Sequence, residues 1–340
     1  MASPLPSTVD FLPSLELNGG IRMSGKKFRV GIVGCGSIAD NAHLPILTQM
    51  DDIELVGVIA KHIESAERSK ERYGIRKAVE SLDSLIDLGL DVAFVLSPKE
   101  NHPEHVIKLL EAGVDVFSEK PMGCCLGDMA RQVEAAEKTG RTLMIGFNRR
   151  YAPVYRKAKE AYGDLSPDVI IAQKNRPASE YRATLENAIH MVDLLRWFCG
   201  ECRDVQAISK FTDRFYETLT TAQLQFENGT VGMLVADRAS GQWTETFQMH
   251  GHNKSVIVDC PDTVTIVDHK ESHTMTMTPL AMGWAQVADK MGFRAEDEHF
   301  FDCLRLGKKP LTDGVDAFKS HELMNRILKA AGLPDLERNI

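Results

Sequence analysis

The sequence predicts two units: an α/β unit with a doubly wound parallel sheet, then an α+β unit built on a large antiparallel sheet. Three observations carry this prediction. The 340-residue length exceeds what a single core usually supports. Between Phe28 and Arg150, short apolar runs alternate with longer amphipathic segments, the pattern of βαβ units with right-handed crossovers. Beyond Arg150, β-rich stretches follow one another, separated by turn signals such as Glu227-Asn228-Gly229. The expected division is an N-terminal arm over residues 1–27, the α/β unit over 28–150 and the α+β unit over 151–340.

The first unit reads in order. Phe28–Val33 is a strand, Ser37–Met50 a helix, Glu54–Ala60 a strand, and Ile63–Tyr73 a helix ended by Gly74. Ala93–Ser97 is a buried strand, Pro103–Ala112 a helix stopped by Gly113, and Asp115–Ser118 a strand. Leu126–Thr139 is a helix stopped by Gly140, and Thr142–Phe147 the last strand. In the second unit Tyr151–Tyr162 and Glu186–Phe198 read as helices. Strands are expected over Val205–Phe211, Thr220–Phe226, Val231–Asp237, Thr246–His250, Val256–Val258 and Val264–Val267, and closing helices over Glu298–Leu306 and Ala317–Ala331.

Composition excludes some roles. A formal net charge of −8 argues against a sequence-independent grip on nucleic acid. The longest apolar runs fall short of the roughly 20 residues needed to span a bilayer. The N-terminus lacks the basic start and apolar stretch of a secretory signal, so the chain reads as cytosolic. The seven cysteines then read as reduced thiols. Cys199-Gly-Glu-Cys202 follows a helix rather than opening one, so it lacks the setting that lowers a thiol pKa.

The sharpest motif is Gly34-Cys35-Gly36-Ser37-Ile38-Ala39, of the form G-x-G-x-x-A, placed between a strand and a helix. Gly34 permits the tight turn, Gly36 lets the backbone approach a pyrophosphate, and Ala39 lets helix and strand pack closely. The phosphates meet free N–H groups at the helix start. This predicts a Rossmann dinucleotide site. The next strand ends Ala60-Lys61-His62, where an NAD-selective site usually carries an acid. Lys61 and His62 are suited to a 2′-phosphate, so NADP(H) is expected in preference to NAD(H).

Further motifs accumulate in a recognisable order: Ser97-Pro98-Lys99-Glu100-Asn101-His102, Glu119-Lys120-Pro121, Gly146-Phe147-Asn148-Arg149-Arg150 and Ile189-His190-Met191-Val192-Asp193. From Phe28 to the end the chain resembles the glucose–fructose oxidoreductase/inositol dehydrogenase/MocA (Gfo/Idh/MocA) family. Gly146–Tyr155, Gly283-Trp284 and Gly292-Phe293 look like a virulence-factor-like bacterial branch of it. The resemblance implies that the second sheet is open on one face and that the chain forms a homodimer or homotetramer through it. It also implies that Ser97, Pro98, Asn101, His102, Glu119, Pro121 and Arg149 line the cofactor pocket, and that the Lys120–Pro121 bond is cis. Lys120 is then the catalytic lysine on the reacting oxygen and His190 the group that moves its proton. Glu186, one turn earlier, stands where the family commonly has Asp.

The residue chemistry suits a hydride transfer at a carbon bearing oxygen. A donor stabilises charge on that oxygen and a base takes its proton. Histidine titrates near neutrality, and a lysine beside the cofactor suits the donor. Substrate donors are expected from Arg150, Lys174, Asn175, Arg176 and Trp284 as well as Arg149. The leading expectation is an NAD(P)-dependent dehydrogenase of a sugar, cyclitol or related polar carbonyl or alcohol, with no metal. An imine reductase and a non-catalytic ligand sensor are the alternatives.

Overall fold

The computed structural model describes residues 27–177, 183–211, 217–277, 286–333 and 336. The expected arm lies outside the described residues except for Lys27, and so does Trp284. The first sheet is built from β1 (Phe28–Val33), β2 (Ile53–Ile59), β3 (Ala78–Val79), β4 (Val92–Val95), β5 (Asp115–Glu119) and β6 (Leu143–Gly146). Its strand order is β3-β2-β1-β4-β5-β6, with every pairing parallel. This is the doubly wound order whose ligand crevice opens where the order reverses, beyond the carboxyl ends of β1 and β4. Strands buried on both faces read as continuous apolar runs, as Val92–Val95 does.

Helices α1 (Leu44–Leu47), α2 (Ile63–Tyr73), α3 (Leu82–Ile86), α4 (His102–Glu111) and α5 (Leu126–Thr139) connect these strands. The helix expected over Ser37–Met50 is shorter and irregular. A π-helical turn, Ala39–His43, precedes α1. The short pair β3 and α3 had no counterpart in the sequence reading, because two strand residues and five helical ones are too few to show a period.

The second sheet has eight strands: β7 (Val169–Asn175), β8 (Cys202–Phe211), β9 (Glu217–Phe226), β10 (Val231–Asp237), β11 (Thr244–Gly251), β12 (Lys254–Asp259), β13 (Thr263–Asp268) and β14 (Glu271–Thr276). They are ordered β14-β13-β12-β11-β7-β10-β9-β8. The sheet is mixed, not wholly antiparallel, because β7 lies parallel to β10. Of the strands in this sheet, β14 and β7 had no counterpart in the sequence reading, although β7 sits at the centre. Its Lys174, expected to meet substrate, instead faces Glu245 directly across the β7–β11 ladder, which offsets part of the cost of burying it.

α6 (Pro153–Tyr162) and α7 (Ile189–Cys199) cover the inner face, where Leu224, Phe226, Leu234, Phe247 and Met249 are buried. A π-helical turn, Ala183–Ala188, runs into α7. α8 (Val287–Lys290), α9 (Phe293–Leu306) and α10 (Gly314–Ala330) close the chain. Of these, α9 packs on the Ala39–His43 turn and α10 on α5, so the end of the chain reaches back to the nucleotide-binding sheet. No helix of the described residues is long and apolar enough to cross a membrane. Cys199 and Cys202 are free and buried, and burial pushes the Cys199 thiol up to about 12.

Candidate active site

The glycine loop has the geometry its motif demands. Gly34 has φ +99°, and a Cβ there would lie 2.6 Å from the Ser97 main-chain nitrogen, so any side chain would collide with backbone. Above Gly36 there is open space for 4 Å, which leaves its backbone accessible to a ligand. Ala39 is wholly buried against the sheet. The loop Gly34–Ile38, the β2 end Ala60–His62, and Ser97, Pro98 and Asn101 together line a cavity of about 680 Å³. Its dimensions and donors fit a dinucleotide. Glu80, just after β3, faces the same cavity as Lys61. That carboxylate was not anticipated, since its place depends on how β3 pairs with β2.

Ile38, Ser97 and Pro98 are shared with a second cavity, of about 500 Å³. This one collects Lys120, Glu119, Pro121 and His102 from the first unit and Glu186, His190 and Arg176 from the second. Lys120 directly follows β5, and the Lys120–Pro121 bond is cis. His102 is buried with its ring nitrogens 2.8 Å from the Pro121 carbonyl and 2.7 Å from the Ser97 carbonyl, so it ties the two loops together. Lys99, Glu100, Asn148, Val287, Met291 and Phe293 line this cavity but were missing from the expected set. Lys99 lies 2.8 Å from Glu186 and pins it across the cavity mouth, and Asn148 donates to the Met291 carbonyl at 2.9 Å.

The electrostatics of His190 and Lys120 differ. His190 is only 6% exposed, and its Nδ1 is buried without a hydrogen-bond partner. Burial, with Lys174, Arg149, Lys120 and Arg176 around it, holds the imidazole well below its usual range. At neutral pH it is therefore an uncharged proton acceptor. Burial also lowers the Lys120 ammonium from the ordinary lysine value, with Arg149 and Arg176 adding to the effect and Glu119 and Glu186 opposing it. A neutral imidazole and a lysine of lowered pKa on one cavity wall can pass a proton to and from a substrate oxygen.

Several expected substrate donors are engaged elsewhere. Arg150 makes a bidentate pair with Asp193 at 2.8 and 2.5 Å, lies 2.8 Å from Asp316, and is not on the cavity wall. Lys174 is wholly buried against Glu245 at 2.5 Å, and it too is off the wall. Asn175 caps the strand end by accepting from the Asp237 main-chain N–H at 3.1 Å. Arg149 does reach the wall, but its guanidinium is paired with Glu245 at 2.7 and 2.9 Å. These residues are polar and cluster in sequence around the site, which is why they resembled ligand contacts. Their partners come from strands and helices far along the chain.

Comparison with known proteins identifies the family of the two units. Residues 28–147 match the model of the oxidoreductase family with an NAD-binding Rossmann fold, and residues 162–257 match the Gfo/Idh/MocA C-terminal domain. A myo-inositol 2-dehydrogenase of Thermotoga maritima is 31% identical over 311 residues, covering 85% of this chain and 91% of that protein. A scyllo-inositol 2-dehydrogenase (NAD(+)) of Bacillus subtilis is 23% identical over 314 residues, covering 85% and 90%. A crystal structure of a dehydrogenase (MviM) from Clostridium difficile superposes with a TM-score of 0.82 at 25% identity, covering 90% of this chain and all of that one. By its sequence, its two sheets and its paired cavities, the chain belongs to the Gfo/Idh/MocA family of NAD-binding oxidoreductases.

Proposed function

We propose that the protein oxidises a secondary alcohol of a sugar or cyclitol, or reduces the corresponding ketone, with Lys120 and His190 as the groups on the reacting oxygen. The observation that carries this reading is that both side chains line one cavity, which shares Ile38, Ser97 and Pro98 with the neighbouring cavity under the glycine loop. The nicotinamide, when bound, supplies the hydride acceptor or donor. In the oxidation direction, neutral His190 takes the hydroxyl proton while Lys120 holds the oxygen as it becomes a carbonyl. Glu186, clamped by Lys99, and Arg176 then meet neighbouring hydroxyls. His190→Ala should lower turnover on a panel that includes myo- and scyllo-inositol by about 10²–10⁴ while leaving nicotinamide cofactor affinity nearly unchanged. Near-normal turnover in that variant would remove His190 from the chemistry.

NADP(H) preference is supported by Ala60 and Lys61, since one charge-assisted contact to a 2′-phosphate is worth about 1.5–3 kcal/mol. A preference for NAD(H) is favoured instead by Glu80 on the same cavity and by the NAD(+) in the name of the Bacillus subtilis relative. Fluorescence titration decides between them. With NADPH preferred, Lys61→Ala closes the gap; with NADH preferred, Glu80→Gln weakens it. A homo-oligomer assembled through the open face of the second sheet completes the reading.

A further inference from the structure

Behind Lys120 lies a buried ionic chain that the proposed chemistry does not yet use. His43, the last residue of the π-helical turn that follows the glycine loop, is wholly buried among the rings of Phe94, Phe117 and Phe293, with centroids 5.8, 5.1 and 5.6 Å away. Its Nδ1 donates to Asp297 on α9 at 2.9 Å, and its Nε2 donates to Glu119 at the end of β5 at 3.2 Å. Both partners are carboxylates that only accept, so both ring nitrogens carry protons and the ring is an imidazolium. Burial opposes that charge, but Asp297 and then Glu119 raise the pKa of His43 to about 10.

The other Glu119 oxygen accepts from the Lys120 main-chain N–H at 3.0 Å. Gly146 makes room for this carboxylate, since a Cβ there would lie 3.3 Å from Oε1. Next to Asp297, Glu296 is buried with neither carboxyl oxygen hydrogen-bonded, and burial, with Glu119 and Asp297 beside it, pushes its pKa well above the usual carboxylate range. Stability alone does not call for this arrangement. An aromatic box accepts an apolar residue readily, and replacing a buried ionic group by well-packed apolar residues is often neutral or stabilising. What the chain does achieve is a fixed, ionised carboxylate directly behind Lys120.

We propose that His43 is a positioning residue: anchored by Asp297, it keeps the Glu119 carboxylate ionised and in place, and through it sets the orientation and proton affinity of Lys120. The inference rests on the assignment of Lys120 to the reacting oxygen. Lys120 faces Glu119 from its own strand end, Arg149 from the turn after β6, Arg176 after β7, Glu186 from the π-helical turn before α7, His190 from α7 and His102 from α4. Among these groups only Glu119 and Glu186 favour a protonated amine, and Lys99 already engages Glu186. Without the imidazolium, the buried Glu119 gains a proton and Lys120 releases its own more readily.

The test reads Lys120 directly and needs no substrate. The full-length protein is acylated with trace acetic anhydride across pH 6–11, and labelling of Lys120 is followed by mass spectrometry. In His43→Gln and in Glu119→Gln the labelling midpoint should move down by about one pH unit, a roughly tenfold loss of proton affinity. Asp297→Asn keeps the shape and should give a smaller shift in the same direction; it carries the test if His43→Gln does not fold. An unchanged or raised midpoint in a folded variant would overturn the proposal. A Lys120→Ala protein that still turned over the inositols would instead overturn the assignment of Lys120 itself.

Discussion

At the scale of single residues, the buried histidines have opposite fates, and this sets the pH dependence of stability. His321 donates from Nδ1 to the Ala317 carbonyl at 2.8 Å, and burial pushes its pKa down to about 4. The unfolded chain, with its histidines near 6.5, binds that proton more readily than the native protein does. Native stability is therefore lost as pH falls from about 6.5 towards 4, by an amount on the order of 3 kcal/mol for this one group. His43 has the reverse sign, because its folded pKa is raised to about 10. Its contribution is complete below about 6.5 and disappears as pH rises through 10. Melting temperature should therefore peak near neutrality and fall on both sides. His321→Gln should flatten the acid limb specifically, and an acid limb identical in wild type and variant would contradict the assignment.

At the scale of elements, the second unit is tied together by a charge cluster across strands. Glu245 on β11 accepts from Arg149 after β6, from Lys174 on β7 and from the Tyr155 hydroxyl on α6 at 3.2 Å. Burial works against the Glu245 carboxylate, yet Arg149 and Lys174 hold it far below its usual range. Burial and Arg149 bring Lys174 down to about 7. Removing the shared anion leaves the Arg149 cation unpaired in the core and Lys174 without its partner, so Glu245→Gln should cost about 3–5 kcal/mol, read as a lower urea midpoint. Lys174→Met leaves the bidentate Arg149–Glu245 pair intact and should cost much less. Equal losses in the two variants would show that the cluster is not organised around Glu245. Gly34 is the corresponding element-level constraint at the cofactor end, since its turn allows no side chain.

At the scale of the whole molecule, the outer face of the second sheet is the feature left over. The apolar positions Leu224, Phe226, Val231, Met233 and Val235 along β9 and β10 divide between the two sides of the sheet. Leu224 and Phe226 point into the core, whereas Met233 is 46% exposed, alongside Ile208 at 75% and Ile257 at 38%. Val231 and Val235 lie on the same outward side of β10 as Met233 and are half-buried. The proposed oligomer should dissociate on substitution of Ile208→Glu with Met233→Glu, with the circular dichroism spectrum retained. Light scattering of wild type at micromolar concentration checks the premise, and a monomer there would end it.

The sequence by itself determined the parallel sheet and the glycine loop, whereas Lys120 and His190 were singled out only by the family resemblance of the motifs that hold them. The sheet and the loop depend on short-range patterns: apolar runs of strand length, and small residues where backbone must approach backbone. α2 and α5 were legible to the residue because a continuous amphipathic period ends at a glycine. Tertiary structure alone decided how each charge was spent. Nothing local marks Arg150 as a partner of Asp193, Lys174 of Glu245, Lys99 of Glu186 or His43 of Glu119 and Asp297. A polar side chain looks the same in sequence whether it meets a ligand or a buried counter-ion. Only the packing of strands and helices distant in the chain removes water from one pair and leaves another open to substrate.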